Sequence, residues 1–237
     1  MKKFMILLTL SAVSFAASLT ADSPKRIISL APSATYDLYM LGLEDKVIGI
    51  TRYCPKGTIK KEIVGTILEP NMEKIVSLSP DLVVMTKEIN IRNTYEKLKK
   101  FHVRCCLIEN DNSFTEICAH FIEFAKVLGK QETAEKIVIN AKERIASVKK
   151  RIVKASKPSV FWEVGQKPLY TVGKGSFVND FNTYCGCTNI FADLDSRFPR
   201  VSREEIVKRD PDIMLIAEKT DVTIQEKLLW GKYAGLK

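Results

Sequence analysis

Four groups of residues in this chain have types and spacings that could do chemistry. Cys185-Gly186-Cys187 places two thiols one residue apart, a pair able to ligate a soft metal or exchange disulfides. No second correctly spaced pair accompanies it, and a lone Cys-x-Cys is weak evidence for either. Gly173-Lys174-Gly175-Ser176 has the flavour of a phosphate cradle, but its spacing is not that of a P-loop. A turn followed by a helix start is the better reading. His102 and His120 are the only histidines in 237 residues, too few for an imidazole-rich metal site. There is neither a Gly-x-Ser-x-Gly elbow nor a His-Glu-x-x-His helix. No catalytic residue, no metal ligand and no covalently held cofactor is therefore assigned, and an α/β enzyme is only the outside alternative.

The fourth group is a matched pair of glutamates, Glu73 and Glu204. Asn71-Met72-Glu73-Lys74-Ile75-Val76 leads through three residues to Pro80-Asp81-Leu82-Val83-Val84. Ser202-Arg203-Glu204-Glu205-Ile206-Val207 leads through three residues to Pro211-Asp212-Ile213-Met214-Leu215. Glu, Ile, Val, Pro and Asp recur at the same offsets, 131 residues apart. Ser202 with Glu205 is a capping box, and Asn71 is a good N-cap. An acid in the first turn is favoured by the helix dipole, which is the plain reading of either glutamate alone. Their equivalence suggests more: two surface carboxylates that dock a two-fold symmetric basic partner.

The elements that would position these groups alternate between strand and helix. Arg26–Leu30, Val47–Ile50, Asp81–Met85 and Val103–Ile108 read as apolar strands, with His102 opening the last of them. Helices are predicted over Thr35–Leu41, Asn71–Leu78, Ile91–Lys99 and Thr115–Leu128. Such alternation implies parallel βαβ units with both sheet faces covered. Gln131–Lys154 has apolar residues at 134, 137, 138, 141, 145, 148 and 152, the α-helical period, with no Gly or Pro. That helix would be about 36 Å long, a rigid strut between two lobes. Pro158 ends it and a new βα pattern begins at Ser159. The predicted organisation is a signal segment over 1–18, an N-terminal α/β lobe over 19–130, a linking helix over 131–156 and a C-terminal α/β lobe over 157–237.

Hydrophobic residues make up 46% and charged residues 27%, an ordinary globular composition. Lys2-Lys3, the apolar run Phe4–Val13 and the small residues after it have the layout of a cleaved secretory signal, too short to span a bilayer stably. The first cysteine is Cys54, so the cysteine of a lipid-anchored export signal is not found. The mature chain is expected to be soluble and exported. Thirty-seven Lys and Arg against 28 Asp and Glu give a net charge of +9, which falls to +7 when Lys2 and Lys3 are removed. The lysines between 126 and 157 fall along one helix face rather than in an aromatic-interleaved stripe, so nucleic acid is not an expected partner. The six cysteines are too sparse for a disulfide scaffold, although Cys185 could bond a distant cysteine in an oxidising compartment. Cys105-Cys106 reads as packing.

Taken in order, these residues resemble a known family. Arg26–Thr35, Leu41-Gly-Leu, Val47-Ile-Gly, Thr51-Arg-Tyr-Cys54, Val64-Gly, Pro70–Ile75 and Ser79–Val83 match the first half of periplasmic cobalamin-binding proteins of ABC importers. Cys185–Phe191, Pro199–Glu204 and Asp210-Pro-Asp212 match the second half. The wider group comprises siderophore- and haem-binding receptors with a helical backbone. The resemblance implies a class III periplasmic binding protein: two Rossmann-like α/β lobes joined by one long backbone helix, with cobalamin carried between them as transported ligand. A monomer that delivers it to an ABC importer permease dimer would dock through Glu73 and Glu204. Aromatic residues line the cleft in cobalamin binders, and matching positions here hold Tyr53, Tyr170 and Phe198. Rings at such positions suit a broad, partly apolar macrocycle. Arg52, Lys174, Ser176 and Arg197 would orient its polar groups.

Two departures accompany the resemblance. Ile67 stands where some cobalamin binders carry a tryptophan, and the second lobe stops before a strand and helix that the family usually adds. A ferric siderophore is the alternative ligand, served by Arg52, Lys87, Arg197 and Arg200, and haem is another.

Overall fold

The computed structural model describes residues 23–87, 91–152, 157–217 and 220–233. The predicted signal segment 1–18 lies outside the described residues, as do the last residues of the predicted linking helix.

The first lobe is built on a five-stranded, all-parallel sheet. Its strands are β1 (Ile27–Ser29), β2 (Val47–Ile50), β3 (Glu62–Ile63), β4 (Leu82–Thr86) and β5 (Cys105–Ile108), in the spatial order β3-β2-β1-β4-β5. The order reverses between β1 and β4, the doubly wound arrangement. Helices α1 (Pro32–Met40), α2 (Met72–Ser77), α3 (Ile91–Lys100) and α4 (Phe114–Val127) complete the lobe. Alternate strand residues feed two different cores. Ile27, Leu82 and Val84 pack with Leu38 of α1 and Phe121 and Phe124 of α4. Ile28, Val83 and Met85 pack with Ile75 of α2 and Leu98 of α3. That is why Ile27-Ile28 of β1 and Leu82–Met85 of β4 are apolar at successive positions: neither face of these central strands meets water.

Helix α5 (Gln131–Ile152) leaves the first lobe after Gly129, which has φ +66°. Ala134 and Val138 are buried in the first core, and further along α5 faces the second lobe. That lobe holds β6 (Ser159–Glu163), the small antiparallel pair β7 (Gly165–Gln166) and β8 (Leu169–Tyr170), and α6 (Phe177–Tyr184). There follow β9 (Thr188–Asn189), α7 (Arg203–Arg209), β10 (Ile213–Ile216) and α8 (Thr220–Trp230). Its parallel sheet runs β10-β6-β9, matching β4-β1-β2 of the first lobe. Phe161, Phe191, Ile206 and Trp230 form its core, with Met214 and Ile216 of β10 against them.

The internal repeat is a structural one. Asn71 accepts the Lys74 N–H at 2.9 Å to start α2, and Ser202 accepts the Glu205 N–H at 3.2 Å to start α7. Ile75 and Ile206, at matching positions, are both fully buried.

Local details differ from the sequence reading. Helix α1 begins at Pro32 rather than Thr35, because proline is preset for a first helical turn. His102 does not open a strand; it sits at φ +57° in the turn after α3, and β5 starts at Cys105. All six cysteines are free thiols, Cys185 included.

Candidate functional site between the lobes

In a doubly wound sheet the loops leaving the strand ends splay apart where the strand order reverses, opening a crevice there. Here that point lies beyond β1 and β4, and a cavity of about 290 Å³ occupies it. The first lobe lines it with Ser33 and Asp37 of α1, Thr86 at the end of β4, and Ile108, Glu109, Asn110 and Asp111 after β5. Ile117 of α4 adds an apolar wall. The second lobe supplies Phe177 and Arg197.

The same segments carry direct contacts between the lobes. Arg197 Nη2 donates to the Asp111 carbonyl oxygen at 3.1 Å, and the Phe114 N–H donates to Asp180 Oδ2 at 2.8 Å. The Phe114 and Tyr184 rings meet edge to face at 5.9 Å, and Lys149 Nζ of α5 lies 4.2 Å from the centre of the Tyr184 ring.

The cavity is electrostatically mixed. Burial, and then the charge of Asp111, push the Asp37 carboxyl up to about 6. Asp111 Oδ1 is 2.6 Å from His120 Nδ1. Glu109 pairs with Lys87 on the neighbouring strand end. The Arg197 Nε atom is buried without a hydrogen-bond partner among the described residues.

Arg197 is the one sequence-predicted binding residue that lines this cavity. Tyr170 and Phe198 are held close to it through the backbone. Tyr170 bridges to Arg200, the Thr171 N–H donates to the Pro199 carbonyl at 3.0 Å, and the Arg197 guanidinium carbon lies 5.7 Å from the Phe198 ring centre. Both rings are about two-fifths exposed.

Lys174 is exposed on the turn that packs against the same loop: its N–H donates to Leu194 O at 2.8 Å, and that of Gly173 to Arg197 O at 3.0 Å. A Cβ on Gly173 would lie 2.0 Å from Ser196 O, and one on Gly175 2.6 Å from Asp195 O. The two glycines of Gly-Lys-Gly-Ser thus allow two backbones to touch, and Ser176 caps α6 by accepting the Val178 N–H.

Arg52 and Tyr53 occupy the loop after β2, where Tyr53 is 72% exposed. That loop is pinned from below. Glu44 accepts the N–H groups of Thr58 and Ile59, at 2.5 and 2.9 Å, and these bonds hold its carboxyl down at about 2. The Tyr39 hydroxyl donates to Pro55 O at 3.1 Å. Ile67 packs on the first-lobe core, so this position adds bulk beneath the loop.

Glu73 and Glu204 are exposed in the first turns of α2 and α7, away from the cavity lining. The Glu204 carboxyl is held below the usual range by its own backbone N–H and by Ser202.

Asp37, Thr86 and Asp111 are invisible to motif reading. The signal available is positional: Thr86 ends β4, Asp111 follows the carboxyl end of β5 and Asp37 lies in the helix that follows β1, on the side where open α/β sheets bind ligands.

Comparison with known proteins accords with this architecture. A vitamin B12-binding protein of Photorhabdus laumondii is 32% identical over 86% of this chain and 74% of its own length. An uncharacterized ABC transporter substrate-binding lipoprotein of Bacillus subtilis is 32% identical over 86% and 67%. A solved structure, described as a possible iron-binding (periplasmic solute-binding) protein from Staphylococcus epidermidis, superposes with a TM-score of 0.76 at 27% identity. It covers 90% of this chain and 84% of its own. The periplasmic binding protein family matches residues 27–229. Two doubly wound lobes, a long connecting helix and a cleft where they meet are thus those of the family to which this chain belongs, the periplasmic binding proteins.

Proposed function

We propose that this protein is the substrate-binding component of an ABC importer and carries a corrinoid between its lobes. The observation that supports this most is the mixed cavity at the β1/β4 switch point, bounded by Phe177 and Arg197 from the opposite lobe. A closed pair of lobes can bury a large ligand from both sides, and the relative from Photorhabdus is named for vitamin B12. Tyr53, Tyr170 and Phe198 supply flat apolar surface around the cleft, while Arg52, Lys174 and Arg197 orient polar groups of the ligand. The protein carries out no reaction on it.

In this reading residues 1–18 direct export, 19–130 and 157–237 are the two lobes, and 131–156 link them. The mature protein works as a monomer in the periplasm and binds no nucleic acid. It docks on a permease dimer through Glu73 and Glu204, which repeat at the same place on the two lobes.

A ferric chelate is the second reading, favoured by the likeness to the Staphylococcus protein. Calorimetric titration of the purified chain with cyanocobalamin, and separately with a ferric hydroxamate, decides between them. One-to-one binding of cyanocobalamin alone is expected. Binding of the hydroxamate alone would replace the corrinoid by an iron chelate, and binding of neither would reject both.

A further inference from the structure

We propose that Asp37 and Asp111 form a selectivity element of the cleft, accepting a corrinoid whose periphery is carboxamide and rejecting one whose periphery is carboxylate. This rests on the corrinoid reading above and adds what the cleft demands of the ligand's side chains.

The two carboxyls reach the same cavity from different elements, Asp37 from α1 and Asp111 from the segment between β5 and α4. Several charged groups stand near them, among them Glu116 of α4, which accepts the Asn112 N–H at 2.9 Å. Glu109 is neutralised by Lys87, and Asp180 across the lobe contact accepts the Phe114 N–H. His120 supports Asp111 from α4, and Arg197 is the cation of the opposite lobe. Arg197 donates to the backbone carbonyl of residue 111, so its contact with that residue does not neutralise the Asp111 carboxylate. Two carboxyls, Asp37 and the His120-bonded Asp111, therefore share the cavity with one guanidinium.

A corrinoid matches this set. Its side-chain amides donate N–H to ionised carboxylates, and the phosphodiester of a complete cobalamin can take the Arg197 guanidinium. Replacing the amides by carboxylates removes the donors and puts like charges together in a half-buried site, which costs far more there than in water. The raised Asp37 carboxyl bears on the pH dependence: near pH 7.5 it is ionised, whereas around pH 5 it carries a proton and can donate.

The test compares two ligands with one ring system, dicyanocobinamide and dicyanocobyrinic acid, which differ chiefly in amide against acid side chains. The readout is the ratio of their affinities. For the unaltered protein at pH 7.5 the amide should be preferred by at least about tenfold. Asp37→Asn, which keeps a carbonyl acceptor and removes the charge, should narrow the ratio by about threefold or more, and Asp111→Asn should move it the same way. Between pH 7.5 and pH 5 the ratio should narrow more in the unaltered protein than in Asp37→Asn. Equal affinities for the two ligands, or a ratio unchanged in both variants, would overturn the selectivity element while leaving the corrinoid reading standing. Failure of the unaltered protein to bind cyanocobalamin would overturn the corrinoid reading itself, and the selectivity element with it.

Discussion

Asp81 and Asp212 perform the same task in the two lobes. Asp81 accepts the N–H groups of Lys25 and Arg26 at 2.7 and 3.0 Å, just before β1. Asp212 accepts the Ser159 N–H and hydroxyl, both at 2.7 Å, at the start of β6. Each carboxylate stands at the start of one strand of a parallel pair and holds the start of the other, which sets the register of the pair. Removing either aspartate takes away a charged acceptor from strand-start N–H groups. Asp81→Ala and Asp212→Ala should each lower unfolding free energy by about 1–2 kcal/mol in denaturant titrations, and the losses should add, since they act in different lobes. A loss below about 0.3 kcal/mol in both would remove this role.

Glu73 and Glu204 hold matching first-turn positions but lie on different lobes. The double substitution Glu73→Ala with Glu204→Ala should abolish uptake by cells carrying the importer while leaving ligand affinity unchanged. Normal uptake by the double variant would end the docking assignment.

Glycine at 173 is required by a neighbour and glycine at 42 by its own backbone. Gly173→Ala places a Cβ against Ser196 O, whereas Gly42 has φ +71° and open space around it. Gly42→Ala should cost about 1 kcal/mol, the conformational penalty alone. Gly173→Ala should cost about 2 kcal/mol or more and expose the Arg197 loop to limited proteolysis. Equal, small losses at both sites would show that the 173–176 and 194–200 segments part readily.

Glu44 ties the Tyr53 loop to the first lobe through hydrogen bonds to its ionised form. Its folded-state carboxyl lies below the unfolded value, so its contribution is present above about pH 4.5 and is lost as pH falls toward about 2. Stability measured across that window should fall less steeply in Glu44→Gln than in the unaltered protein. Identical slopes would mean that the loop holds without this carboxylate.

Asp37 has the opposite sign. Its folded carboxyl titrates at about 6 against an ordinary value of 3.8, so the native state is relatively destabilised as pH rises through that interval. Asp37→Asn should be more stable than the unaltered protein at pH 7.5, by at most about 3 kcal/mol, and nearly equal to it at pH 3.5. Thermal melts at the two pH values check this, and a destabilised variant at pH 7.5 would show that Asp37 is held by partners that favour its charge.

Much of the architecture is written in short stretches of the chain. The βα alternation, the period of α5, the caps at Asn71 and Ser202 and the repeat through Ile75 and Ile206 are local patterns, and secondary structure obeys local rules. The Gly-Lys-Gly-Ser turn is legible for the same reason, because Ser176 has only to reach the next helical turn.

The chain itself thus determines two lobes of the same plan, where the capped helices α2 and α7 start and which acids repeat. Which side chains share the cleft is decided by tertiary structure alone. Asp37, Thr86 and Asp111 converge because parallel pairing puts the ends of β1, β4 and β5 side by side, and Arg197 meets them because α5 sets one lobe against the other. Asp37, Thr86 and Asp111 carry no motif, and only Arg197 is reached through the resemblance, since a cleft wall is made by distant segments that have only to arrive together. The burial that raises Asp37 and the contact that holds Arg197 exist only after both sheets are folded and the lobes meet.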